Sequence, residues 1–227
     1  MTSPEQSLQV YPVVHYRDRA QAFSQSELAF DAGAPGVFLI SHNQHDELLV
    51  PLACDIKARH ADKFVGVNHL GLSAVESFRA LLASGLDGMW TDRPGVDSRG
   101  VHDKRLADLA QDHPALRVFA SVAFKYQDAD EDPPLAARLA LSAGYLPTTS
   151  GTATGVAAPL AKVKAMSEAT GRKLAIASGM TAENIRILGP HLSHVLVATG
   201  VSTDEYHFDY ELLRQFLGLA AQVSFNG

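Results

Sequence analysis

The chain predicts a single closed (β/α)8 barrel, and three observations carry that prediction. Short apolar runs alternate with longer stretches of helical period along the whole 227 residues. Eight such strand–helix units follow one another without a linker, a low-complexity segment or a break in composition. Several helical stretches end in glycine a few residues before the next apolar run, where glycine takes the left-handed cap at little steric cost. Eight units in one uninterrupted chain of this size favour a closed barrel over an open sheet, and one domain spanning residues 1–227.

In chain order, residues 8–14 read as the first strand, 36–40 as the second, 64–67 as the third and 88–90 as a short fourth. Residues 117–123 are the fifth, 145–147 the sixth, 173–177 the seventh and 194–197 the eighth. Apolar spacing of three and four marks helices over residues 74–82, through Val75, Phe78, Leu81 and Leu82, and over 135–143 and 160–166. The helix exits repeat as Asp31-Ala32-Gly33, Ala83-Ser84-Gly85, Ser142-Ala143-Gly144 and Ala169-Thr170-Gly171. The acidic, proline-bearing segment 128–134 reads as a surface loop entering the fifth helix.

Composition narrows the function. Apolar residues make up 46% of the chain, enough for a sizeable core, and charged residues 19%, which suits a fold with much buried parallel strand. The net charge of −6 and the lack of a Lys/Arg-rich block leave no footprint for nucleic acid or an anionic membrane. Cys54 is the only cysteine, so no intrachain disulfide or cysteine-based zinc site is expected; a small, buried apolar role suits it. The polar segment 1–7 lacks a signal h-region and no apolar stretch is long enough to span a membrane, so a cytoplasmic protein is expected.

In such a barrel the working residues lie at the carboxyl ends of the strands. The last third of the chain has three polar runs, each directly after an apolar one: residues 148–155, 178–184 and 198–202. Small hydroxyl residues and glycines let backbone N–H groups approach an anion. The predicted phosphate contacts are therefore Ser150, Gly151, Ser178, Gly179, Thr199 and Gly200. Thr181 is expected to cap a helix starting near Ala182, with Glu183 in its first turn. The competing reading is three ordinary tight turns.

Earlier strand ends supply other chemistry. Asp92 follows Trp90-Thr91, and Lys125 follows the apolar run 117–124. Desolvation would make either a usable base, and Lys125 also a Schiff-base nucleophile. The alternatives are a rim lysine paired with Asp128 or Asp130, and an aspartate paired with Arg93 or capping its loop. His15 and Asn68 sit where they would orient or polarise a hydroxyl or carbonyl. His42, His45, Asp46 and His69, with His15 and Asp92 near, form a candidate divalent-metal group, although no HxH or HExxH motif is present. Asp46 also reads as a helix N-cap. The sequence has no GxSxG elbow, P-loop or GxGxxG after a strand, so beyond a divalent metal no cofactor is expected.

The pattern resembles the BtpA family of (β/α)8 barrels and, more distantly, the phosphoribosylanthranilate isomerase and ribulose-phosphate groups. Residues 175–185, Ala-Ile-Ala-Ser-Gly-Met-Thr-Ala-Glu-Asn-Ile, read like the BtpA run at the seventh strand. Val195-Leu196-Val197-Ala198-Thr199-Gly200 stands at the eighth-strand glycine turn, and residues 149–155 resemble the sixth-strand turn. Asn43 with Asp46, Gly66-Val67-Asn68, Phe124-Lys125-Tyr126 and His15 resemble the family's earlier strand ends. Tyr16-Arg17-Asp18 replaces the family's proline-rich loop, and His69-Leu70-Gly71 its Arg-Asn ending. The resemblance implies a barrel of the ribulose-phosphate-binding type. The expected activity is isomerase, lyase or glycosidic-cleavage chemistry on a small phosphorylated metabolite, a phosphosugar or phosphoribosyl compound. A non-catalytic assembly or ligand-sensing factor, as the BtpA link to photosystem I assembly implies, and a metal-dependent hydrolase are the alternatives. A homo-oligomer stays open.

Overall fold

The computed structural model describes residues 7–224; residues 1–6, which carry most of the polar N-terminal segment, lie outside it, as do 225–227. Eight parallel strands close into a barrel. They are β1 (Gln9–His15), β2 (Gly36–Ile40), β3 (Phe64–Asn68), β4 (Gly88–Thr91), β7 (Arg117–Ser121), β8 (Leu146–Thr149), β9 (Ala175–Ala177) and β10 (His194–Val197). Their order around the barrel is β1-β10-β9-β8-β7-β4-β3-β2. The ladder closes where Gln9 pairs with His194 and Val10 with Val195. A two-stranded antiparallel hairpin, β5 (Val96–Asp97) and β6 (Gly100–Val101), stands apart after β4.

The helices are α1 (Arg19–Asp31), α2 (Asp46–Arg59), α3 (Ala74–Leu82), α4 (Lys104–Asp112), α5 (Pro133–Ser142), α6 (Leu160–Ala169), α7 (Ile185–Leu188) and α8 (Tyr210–Ala221). Their starts follow capping chemistry. Ser73 and Glu76 form a reciprocal capping box at α3. Asp18, Asp103, Asp132 and Asp209 accept from backbone N–H groups at α1, α4, α5 and α8. Asp132 lies in the acidic segment read as the entry to the fifth helix. The exits behave as read, since Gly33, Gly85, Gly144 and Gly171 all have positive φ.

Alternation along each strand sends side chains to two cores. Val37 and Leu39 of β2 pack outward against the helices. Phe38 and Ile40 point into the barrel with Tyr11, Val13, Phe64, Trp90, Phe119 and Leu196. The interior is aromatic: the Tyr11 and Phe64 rings stack at 4.4 Å, and Phe38 meets Phe119 edge-on at 5.0 Å. Glycines make the room. A Cβ on Gly66 would lie 2.3 Å from the Phe38 ring, and one on Gly88 2.2 Å from Phe64. The barrel is thus a packed plug whose carboxyl end is left for a site.

One expected helix start is corrected. The helix after β9 begins at Ile185, not near Ala182, and has a single turn. Thr181 is not its cap. The Asn184 side chain folds back instead, accepting from the Thr181 N–H at 3.0 Å and donating to the Gly179 carbonyl at 2.7 Å. That loop closes on itself, so no long helix dipole points at the barrel mouth from here.

Candidate active site

A cavity of about 270 Å³ opens at the carboxyl ends of the strands. One wall is Ser178, Gly179, Met180, Thr199 and Gly200, from the loops after β9 and β10; Asp92, Lys125, His15 and His42 also border the cavity. Val13, Ile40, Trp90, Phe124 and Leu196, from the barrel core, are among its apolar lining. A larger hollow of about 890 Å³ lies at the opposite end, around Tyr11, Arg117 and His194. The carboxyl end is the candidate because four of the predicted phosphate contacts and both predicted bases meet there.

Asp92 is held by a relay of hydrogen bonds. The Trp90 indole donates to Ser121 Oγ at 3.0 Å, and Ser121 Oγ donates to Asp92 Oδ1 at 3.2 Å. The Gln127 amide ties the loop by donating to the carbonyls of Asp92 and Ser121, both at 2.9 Å. Burial pushes the Asp92 carboxyl above the usual range, opposed by the Ser121 hydroxyl, Lys125 and the neighbouring Asn68 amide. Asn68 is fully buried, and neither its amide oxygen nor its nitrogen makes a fully formed hydrogen bond.

Lys125 is half-buried. Its N–H donates to Ser150 Oγ at 2.7 Å and its Nζ to Thr154 Oγ1 at 3.1 Å. Thr154 also meets the exposed Tyr126 hydroxyl at 3.1 Å. Desolvation lowers the Lys125 pKa, with Tyr126 and Asp92 pulling it back up. Its partner is thus a threonine hydroxyl rather than Asp128 or Asp130; Asp130 accepts from the Ser98 N–H instead.

The three glycines serve a purpose that sequence reasoning missed. A Cβ on Gly151 would lie 2.1 Å from the Val156 carbonyl oxygen, one on Gly179 2.2 Å from that same oxygen, and one on Gly200 2.1 Å from the Met180 carbonyl oxygen. The late loops are stacked backbone on backbone, and only glycine permits that approach. Ser150 and Gly151 do not border the cavity. Ser150 is fully buried, accepting from Lys125 and donating to the Gly151 carbonyl at 2.8 Å. Lys162, unnoticed in the sequence, donates to the Ala123 and Ser150 carbonyls and ties together the loops that follow β7 and β8. Gly179, Thr199 and Gly200 do border the cavity, and no protein acceptor takes their N–H groups among the described residues. Ser178 adopts φ +73, unusual for a residue with a side chain, and its Oγ accepts from the Gly155 N–H at 3.0 Å.

The predicted metal group does not assemble. Asp46 spends its carboxylate on the Leu70 and Gly71 N–H groups, at 3.3 and 2.6 Å, tying the loop after β3 to α2. It is the first residue of α2, whose N-cap is His45. His69 is buried with Nδ1 on Ser77 Oγ at 2.8 Å. His45 faces Glu47 at 3.8 Å. Only His42 of the four borders the cavity, beside His15, the ring centroids 4.8 Å apart. Burial, with His42 adding to it, pushes His15 down to about 4, so its imidazole is neutral near pH 7.

No protein-family model matches the chain, and no curated protein does. Solved structures do match. The chain is similar to phosphoribosyl anthranilate isomerase from Thermus thermophilus, with 18% identity over 94% of this chain and 98% of that one, at a TM-score of 0.67. It is similar to KGPDC from Streptococcus mutans, with 14% identity over 96% and 99% of the two chains, at 0.71. The 4-hydroxy-2-oxoglutarate aldolase/2-deydro-3-deoxyphosphogluconate aldolase from TTHB1 aligns over the whole of both chains, with 14% identity and a TM-score of 0.64. At these identities the likeness shows the architecture: a closed (β/α)8 barrel of the kind that isomerase and aldolase enzymes use.

Proposed function

We propose that the chain works as one barrel domain and is an enzyme acting on a small phosphorylated metabolite, a phosphosugar or phosphoribosyl compound, by isomerase or lyase chemistry. The observation that carries this reading is the composition of one cavity. Gly179, Thr199 and Gly200, whose N–H groups have no protein acceptor among the described residues, line it together with a carboxylate of raised pKa and an amine of lowered pKa. Backbone N–H groups suit a phosphate dianion, and the phosphate's binding energy would hold the reacting end against Asp92 and Lys125. Asp92 takes the role of general base and Lys125 that of its acid partner or of a carbonyl-directed nucleophile. Asn68, beside Asp92, positions it. Ser150 and Gly151 shape the phosphate wall from behind. The names of similar barrels agree: one is a phosphoribosyl anthranilate isomerase, and another a 2-deydro-3-deoxyphosphogluconate aldolase.

The test is calorimetric titration with ribose 5-phosphate, a small phosphosugar. Ser178→Asp should abolish binding by setting a carboxylate against the dianion, while Ser178→Asn should retain it. Both side chains tolerate positive φ, so the pair separates charge from folding. Equal affinity in Ser178→Asp and the parent would count against the phosphate wall. A non-catalytic barrel akin to the BtpA family would keep the same binding yet lose no function in Asp92→Asn or Lys125→Ala.

A further inference from the structure

The geometry points to a divalent transition-metal site formed by His15, His42 and Glu205 at the rim of the same cavity. The three side chains come from separate parts of the chain: the end of β1, the loop after β2 and the loop before α8. Each offers one ligand atom, and these atoms all lie within 4.8 Å of one another. His42 Nδ1 stands 3.7 Å from Glu205 Oε1, close but beyond hydrogen-bond distance. His15 Nδ1 is buried and has no partner. A buried ring nitrogen left in that state is unfavourable unless something satisfies it.

A metal–ligand distance of about 2.1 Å separates neighbouring ligand atoms by roughly 3.0–3.4 Å. The set therefore needs to contract by about an ångström, which side-chain rotation supplies. His42 and Glu205 are 46% and 51% exposed and free to swing, whereas His15 is fixed by its strand. Two imidazoles and one carboxylate select a borderline ion such as Zn²⁺ or Fe²⁺ over Mg²⁺ or Ca²⁺, which prefer all-oxygen sets. Three protein ligands leave positions open, and His15 and His42 both border the cavity. An ion there would polarise a substrate oxygen opposite Asp92. That last role rests on the phosphorylated-substrate reading; metal binding itself does not.

The experiment uses the untagged full chain, stripped with EDTA and titrated calorimetrically with ZnCl2. One equivalent should bind, and Glu205→Gln and His42→Ala should each weaken it tenfold or more. His60→Ala, whose ring pairs with Glu27 at 2.9 Å on the outer helices, should leave it unchanged. Co²⁺ in place of zinc should give visible absorbance bands that Glu205→Gln removes. Absence of saturable one-to-one binding, or affinities in Glu205→Gln and His42→Ala within twofold of the parent, would overturn the site. Ribose 5-phosphate titration of the stripped protein reads the phosphate wall alone, so the two ideas fail separately.

Discussion

At the scale of single residues, the proposed chemistry turns on how a carboxylate and an amine are desolvated without being orphaned. Asp92 keeps one hydroxyl donor, Ser121, which the Trp90 indole itself holds in place. Removing that donor in Ser121→Ala should raise the Asp92 pKa further, because the hydroxyl favours the ionised form. Carbon-13 NMR of the labelled carboxyl would read the shift; a fall or no change would contradict the relay. On the proposed role as general base, Asp92→Asn should cost about 10²–10⁴-fold in turnover. The candidates Asp92 and Lys125 were legible because strand ends can be counted from apolar runs. The Ser121 and Gln127 contacts were not, because they depend on which strands become neighbours. Glu205 was invisible for the same reason: nothing in its local run links it to histidines more than 160 positions earlier.

At the scale of elements, the glycines of the late loops answer a packing demand that their local sequence does not display. The run 148–155 suggested amides bared to an anion. In fact Gly151 and Gly179 flank one carbonyl, that of Val156. Gly151→Ala should therefore lower stability by about 1–3 kcal/mol, the usual cost of overpacking. Gly33→Ala meets open space and carries only the cost of its φ of +101, of order 1 kcal/mol. Denaturant midpoints would rank the two, and a larger loss at Gly33 would refute the stacking account. Strands 36–40 and 194–197 match β2 and β10 end to end, since continuous apolar runs between polar turns leave little freedom. The β5–β6 hairpin went unread because two-residue strands carry no period. The start of α7, expected near Ala182, lies at Ile185 because the Asn184 side chain folds back on Thr181 and Gly179 and holds the intervening residues in a turn.

At the scale of the whole molecule, the two ends of the barrel have different tasks. The amino end holds His194 near Arg117, its Nε2 buried and without a partner. Desolvation, with Arg117 repulsion, holds its pKa down to about 3. The unfolded chain binds that proton from near pH 6.5 downward while the native state does not, so stability is lost as pH falls from about 6.5 toward 3. His194→Gln should flatten that acid slope in thermal melts; an unchanged slope would show that the ring does not drive it. The carboxyl end holds the proposed site. The barrel class could be read from eight counted units, whereas the meeting of its late loops with Asp92 and Lys125 needed the closed ring. The most direct measurement of the central claim is a crystal soaked in tungstate, a heavy tetrahedral dianion. Its anomalous peak should lie against Gly179, Thr199 and Gly200. A peak only in the opposite hollow beside Arg117 and Lys173, or none in the carboxyl-end cavity, would contradict it.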